Sequence, residues 1–399
     1  MENFRYLISV VIPTHNRSCY AVACVQSLLE IKSDKLQIVV HDTSNDGCEL
    51  AAWAANQKDP RLCYVHWRDR LSMTENHERA LALAEGEYVC LIGDDDSVSA
   101  RIVEVAEYAK AQGINLLTPT VKAVYSWPDF RTRLYGMAHA GKVYLNDFSG
   151  ALSSCDTLKS LEAALSRACQ GTDGLPKLYH GLVRRSLLDV LRERYGQVFF
   201  GTSPDVSAAV ALSLEGNHHH VIDLPFTLPG ASAGSNTGRS ALNKHKGDIE
   251  KDPHMQPFKN LAWPKELPRF FSVETVWAHA AWETLHGIGR VDLIEHFNLA
   301  RLYALCLLYH RDYRAFTLEA WRAAQRNGYQ NVSNVAVVKE LLGVVFGLVA
   351  SKSKRLLRPS ASNGREVLGV VNDVRLARLA LDKRIADHIV FFRVLGKER

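Results

Sequence analysis

Over roughly the first third of the chain, short apolar runs alternate with stretches whose apolar residues return every three or four places. Residues 7–12 are apolar and β-branched, as a buried strand requires. Pro13 is expected to end that strand, because proline brings no N–H to a central ladder. Helical spacing follows over 18–31 (Val22, Val25, Leu28, Leu29). The pattern then predicts strand 36–40, a helix through about 56, strand 62–66, helix 73–85, strand 88–92, helix 100–112 and strand 114–118. Strands alternating with helices predict an α/β fold: a mostly parallel sheet with helices on both faces. Ligands of such sheets bind off the carboxyl ends of the strands.

The signal weakens after 119. A strand at 121–125, helices at 158–168, 187–195 and 205–214, and a strand at 221–224 can be read, with a Gly/Ser loop at 230–238. Pro253, Pro257, Pro264 and Pro268 mark a linker. Beyond it the spacing is helical over 273–285, 293–309 and 316–327. With 399 residues, two domains are expected, since single cores rarely grow past about 250–300 residues. The boundaries are set at 1–250 for the α/β domain, 251–269 for the linker and 270–399 for a C-terminal α-helical domain.

Charge changes the picture locally rather than globally. The net charge of +5 is small and predicts no nucleic-acid partner. From Lys339 onward, however, thirteen Lys and Arg stand against six Asp and Glu. The apolar stretch 337–350 leads directly into Ser351-Lys-Ser-Lys-Arg-Leu-Leu-Arg358. Two readings stay open for 337–358: a helix lying on an anionic membrane surface, or a core helix with a solvated basic end. The C-terminal helices are also candidates for contacts between copies of the chain. Eight scattered cysteines show no two-residue gap of a zinc or redox site, and Cys90 falls inside a predicted buried strand. No signal peptide is read before residue 7, and no apolar run reaches the ~18 residues of a membrane span. The expected setting is cytoplasmic, with the inner face of the plasma membrane as the site of any peripheral contact.

The candidate chemistry is centred on Gly93-Asp-Asp-Asp-Ser97. Asp94, Asp95 and Asp96 follow a buried strand directly, and three carboxylates there repel one another unless something positive meets them. A hard divalent cation would do so. The alternative is a solvated acidic turn capping the next helix, though a cap needs only one Asp. Thr14, Asn16 and Arg17 after the first strand and Asp42 after the second should converge on the same edge. No Gly-rich dinucleotide loop and no Gly-Lys-Ser/Thr phosphate loop follows the first strand, which argues against a dehydrogenase or a P-loop NTPase. Residues His218, His219 and His220 would point to alternate faces of an extended segment, so they make a poor metal site.

With these residues in place, the first ~250 positions resemble the family 2 glycosyltransferases, inverting enzymes of GT-A fold. The resemblance rests on five pieces in order: Ser9-Val-Val-Ile-Pro-Thr-His-Asn-Arg17, Val39-Val-His-Asp-Thr-Ser-Asn-Asp-Gly47, the stretch 71–81 with Gly86-Glu-Tyr-Val, the triplet as a DXD motif, and Ser203-Pro-Asp205. The Gly-Asp-Asp-Asp form is most similar to members that build bacterial surface polysaccharides. Two departures stand out: Thr43, not a second acid, follows Asp42, and Pro204 precedes Asp205 where many members have Glu.

The resemblance implies transfer of a sugar from a nucleotide-sugar donor, UDP-linked by preference, to a glycan or lipid-linked glycan. Asp96 together with Asp94 would hold Mn2+ or Mg2+ against the diphosphate, with His245 as a further ligand; a lone loop histidine is more often simply solvated. Asp94 or Asp95 would alternatively hold the ribose hydroxyls. Pro13, Thr14, Asn16, Arg17 and Asp42 would contact the nucleotide, and Asn76 would face the diphosphate. Asp42 can also be read as a turn-initiating residue, and Asn76 as a buried helix-start amide. Asp205 would be the general base, against the plainer reading of a helix N-cap. Two other functions are weighed: a sugar nucleotidyltransferase, which would want a Gly-rich loop bearing Arg or Lys, and a non-catalytic glycan-binding scaffold, which would need no clustered acids.

Overall fold

The computed structural model describes residues 4–47, 49–242, 245–258, 261–356 and 364–386, without the side chains of 351, 352 and 354–356. Four parallel strands come first: β1 (Tyr6–Thr14), β2 (Leu36–Asp42), β3 (Leu62–His66) and β4 (Gly86–Leu91), side by side in the order β3-β2-β1-β4. The crossovers are α1 (Ser18–Leu29), α2 (Glu49–Ala55) and α3 (Met73–Ala82). β2 and β4 are buried along their whole length, because helices cover both faces; their sequences are therefore runs, not alternations. The sheet continues through Leu182–Arg184, Leu116–Pro119, His218–Ile222 and Leu152–Asp156 to eight strands. Only Leu182–Arg184 and Leu152–Asp156 run against the others. The mostly parallel α/β sheet and the helical C-terminal part are as the sequence predicts.

Pro13 does not end β1. The strand runs on to Thr14, with Pro13 opposite His41 of β2. Pairing with β4 stops at Val11 and Leu91, so beyond that point β1 is an edge on one side, and the missing N–H of Pro13 costs no ladder bond there. The expected helix 293–309 is also divided. A 3-10 turn spans Val291–His296, and the α-helix restarts at Leu299–Tyr309, where the Asn298 side chain caps the N–H of Arg301.

The packing divides the chain elsewhere than at 250 and 270. Helices Val273–Gly287, Leu299–Tyr309 and Asn334–Leu356 do share a core, but that core also takes in Leu161, Leu165, Val206 and Val210 from the first part. Residues 251–258 and 261–269 are not a loose tether: Met255 is buried with Phe271 and Val276. The strongest departure is at 364–386. Strand Glu366–Val370 pairs with Lys142–Leu145 at the edge of a second, four-stranded sheet, and helix Val374–Ile385 packs on α1. Its Val374, Ala377, Leu381 and Ile385 belong to the same core as β1 and β2. Arg378, 3 % exposed, joins Glu30 at 2.8 Å and Asp382 at 2.6 Å, and Asp382 accepts from the Ser99 hydroxyl and the Ala100 N–H. The end of the described chain thus completes the first domain.

Candidate active site

The acidic triplet lies where β4 leaves the sheet, beside the ends of β1 and β2. All three side chains are buried, each no more than 6 % exposed. Residue 93 leaves no room for a side chain: a Cβ would sit 2.5 Å from the Tyr179 hydroxyl and 2.9 Å from Asp96 Oδ2. A second close approach comes from Gly230, where a Cβ would fall 1.9 Å from the Asp95 carbonyl oxygen.

Each acid is met differently. Asp94 accepts from the Thr14 hydroxyl at 2.6 Å and pairs with Arg17 Nη1 at 2.9 Å. Asp95 pairs with Arg17 Nη2 at 2.9 Å and accepts from the Ser232 hydroxyl at 2.6 Å; its backbone carbonyl accepts from Trp127 Nε1. Asp96 takes four donors: the N–H groups of Gly93 and Gly230, both at 2.6 Å, the Tyr179 hydroxyl at 3.2 Å and His180 Nε2 at 3.1 Å. The protonation energetics follow this inventory. Burial pushes Asp94 up and Asp95 to about 7, outweighing the pull of Arg17. Burial would also raise Asp96, but His180 and the two backbone donors overcome it and hold that carboxyl below its usual range. His180 adopts φ 65°, a left-handed conformation that costs a non-glycine residue about 1–2 kcal/mol, and its N–H donates to the Leu91 carbonyl.

Asp42 ends β2, with Oδ1 accepting from the Ser44 N–H and Oδ2 from the Tyr64 hydroxyl, both at 2.8 Å. The first bond is the turn-initiating role. Asn76 ties strand ends together: its amide nitrogen donates to the Thr14 carbonyl at 3.1 Å and its oxygen lies 2.6 Å from His41 Nδ1. That is the buried helix-start amide. Pro13 and Thr14 are buried beside these groups, and Asn16 is exposed, with φ 53° and its side chain on Asn45. His245 is engaged away from the acids, with Nδ1 2.9 Å from the Ser240 hydroxyl and its ring against Phe271. Burial, helped by Arg239, draws it down to about 4.

Asp205 opens helix Pro204–Glu215. The helix cap is Ser203, so Asp205 stands inside the first turn rather than at the N-cap. Its Oδ1 accepts from the Ser203 hydroxyl at 2.5 Å and from the Val206 N–H at 2.9 Å. Residues 206–213 are buried between two hydrophobic cores, which fixes where the carboxylate emerges. Asp205 borders a tightly packed crevice, with no room for a water molecule, together with His77, Phe199 and Tyr179, and the Tyr179 hydroxyl donates to Asp96. Tyr179, His180, Ser232 and Trp127 went unread in the sequence; only the Tyr-His pair before a predicted helix offered a signal.

No three Asp, Glu, His or Cys side chains among the described residues converge as a metal site. As arranged, the triplet does not fit Mn2+ or Mg2+: the oxygens of Asp96 are filled by donors, and Arg17 stands against Asp94 and Asp95. A cation would have to displace the guanidinium.

Residues 9–153 match the model of Glycosyl transferase family 2. The chain carries a family 2 glycosyltransferase domain. Over 91 residues it is 34 % identical to the putative colanic acid biosynthesis glycosyl transferase WcaA of Escherichia coli K12, covering 23 % of this chain and 33 % of that one. Over 99 residues it is 29 % identical to glycosyltransferase GlyG of Streptococcus pneumoniae, covering 25 % and 33 %. The chain thus spans about a third of the length of these curated relatives. Among solved structures, residues 1–349 of S. aureus TarS in complex with UDP-GlcNAc superpose with a TM-score of 0.45 at 14 % identity, over 80 % of this chain and 92 % of that one. The family 2 domain contributes the strand ends that carry Thr14, Arg17, Asp42 and the triplet, whereas Tyr179, His180, Asp205 and Ser232 lie beyond its matched span.

Proposed function

We propose that this protein transfers a sugar from a nucleotide-sugar donor, UDP-linked by preference, to a hydroxyl of a glycan or lipid-linked glycan in bacterial surface polysaccharide synthesis, with inversion. The observation that carries the reading is the placing of two acidic groups of unlike environment on either side of Tyr179: the buried triplet, which meets its hydroxyl through Asp96, and the partly exposed Asp205 at a helix start, which borders the same crevice. In this reading the acceptor oxygen attacks the anomeric carbon, the bond to the diphosphate breaks, and Asp205 takes the hydroxyl proton. The departing diphosphate carries the negative charge away, and Arg17, the cation already at the strand ends, supplies positive charge to it.

Support for the nucleotide end comes from the ends of β1 and β2, where Thr14 and Asp42 sit together, linked by the Thr43 N–H to the Thr14 carbonyl at 3.1 Å. The divalent ion that the family resemblance brings with it contributes no step here, because the arrangement of Arg17 does not fit it. The test is release of nucleoside diphosphate from UDP-sugars with and without a glycan acceptor, run with EDTA and with Mn2+. A non-catalytic glycan-binding module would release none under either condition. A nucleotidyltransferase would instead make nucleotide sugar from sugar phosphate and nucleoside triphosphate.

A further inference from the structure

Helix Asn334–Leu356 is apolar on two faces, and among the described residues only one of them has a partner. Val337 and Val344 turn inward toward helix Leu299–Tyr309. Val335, Val338, Leu342, Val345, Phe346 and Val349 are exposed, Val335 and Phe346 by 78 % and 76 %. Their spacing of three and four places lines them up as one stripe, about 21 Å long at ~1.5 Å per residue. A contiguous apolar strip of this kind marks an interaction surface.

Charge selects what the stripe meets. Lys339 is exposed within it. Glu340 is the only acid in the helix, and it is turned aside, accepting from Asn298 at 2.9 Å and pairing with Arg301 at 3.2 Å. The sequence then continues into Lys352, Lys354, Arg355 and Arg358, which enter here as sequence alone, since their side chains fall outside the described residues. Among the described residues the exposed charge within the outer stripe is therefore positive, and the sequence that follows the stripe is basic. A second copy of the same stripe has no acid to offer that basic run, whereas an anionic lipid surface meets both parts at once. No helix among the described residues is long and apolar enough to cross a membrane, so the helix would lie in the interface.

We propose that the outer face of helix Asn334–Leu356 docks the protein onto anionic lipid bilayers. The inference stands on this helix alone and does not depend on the transfer reaction. The test is co-sedimentation of the full chain with vesicles of phosphatidylcholine and with vesicles of equal phosphatidylcholine and phosphatidylglycerol. The parent should partition to the second set and only weakly to the first, with raised salt reducing the binding. Leu342→Ser combined with Phe346→Ser should cut that partitioning by about tenfold or more, with an unchanged melting temperature because both side chains are exposed. Lys339→Glu should weaken the dependence on phosphatidylglycerol without touching the apolar strip. Release of nucleoside diphosphate from donor, measured on the same samples, reads the transfer proposal separately and should not change. The proposal is overturned if the parent ignores both vesicles, if the Ser variant sediments like the parent, or if the stripe instead holds a dimer that the Ser variant dissolves.

Discussion

Arg17→Met asks whether the guanidinium is the counter-ion of the triplet. Methionine keeps an apolar stem over Tyr20, where the guanidinium now lies 4.9 Å from the ring centre, and removes the contacts at 2.9 Å to Asp94 and Asp95. Breaking a buried ion pair by removing one partner costs about 3–5 kcal/mol. The Arg17 side chain is 21 % exposed, so the lower figure applies, about 3 kcal/mol. The cost should depend on pH, and its sign follows from the carboxyls. Asp94 and Asp95 already sit above their unfolded value, Asp95 at about 7, and losing Arg17 raises them further. A carboxyl raised on folding lends stability at low pH and withdraws it as pH rises through its folded value. The variant should therefore match the parent near pH 5.5 and melt roughly 6–12 °C lower near pH 8, at about 2–4 °C per kcal/mol. Differential scanning fluorimetry at both pH values measures this directly. Mn2+ should raise the melting point of the variant more than that of the parent, because no guanidinium has to be displaced first. A variant as stable as the parent near pH 8, or a penalty equal at both pH values, would refute the counter-ion argument.

Three further outcomes follow from the same geometry. Asp205→Asn should lower sugar transfer by about a hundredfold or more while the thermal shift given by UDP survives; full transfer by the variant places the base elsewhere. His77 and His279 are each drawn down to about 4, chiefly by burial, and both lie below the unfolded value of about 6.5. The stability they lend is whole above pH 6.5 and drains away as pH falls toward 4, by up to about 3 kcal/mol each. Urea midpoints should therefore drop between about pH 7 and 4.5, and His279→Gln should remove about half of the part due to these two; an unchanged drop would show that neither histidine carries it. Arg378→Met takes one of two guanidiniums from Glu30, which Arg375 still meets, and leaves Asp382 with only the Ser99 hydroxyl and Ala100 N–H, so it should cost about 1.5–3 kcal/mol; limited proteolysis should then cut within 364–386 first, and an unaltered cleavage pattern would deny that segment its role in the first domain.

How much of this was legible depended on how local each cause is. The first four strands could be read because burial on both faces turns each into an unbroken apolar run, and the triplet because three acids after such a run need an answer. What answers them was not legible. Ser232, Gly230, Trp127, Tyr179 and His180 reach Asp95 and Asp96 across 32 to 137 positions of chain, and no periodicity encodes a partner that distant. Arg17 was expected at the nucleotide, and its pairing with the acids was not foreseen: a buried pair of carboxylates draws the nearest guanidinium to itself. The tail misled for the opposite reason. Arg378 reads as a surface charge in a basic stretch, yet it is buried because Glu30 and Asp382 flank it, and both must be known before its burial can be. The same dependence explains the apolar helix at 334–356: its two-faced pattern fits a core or a membrane equally well, and only the position of helix Leu299–Tyr309 on one side shows which face remains open.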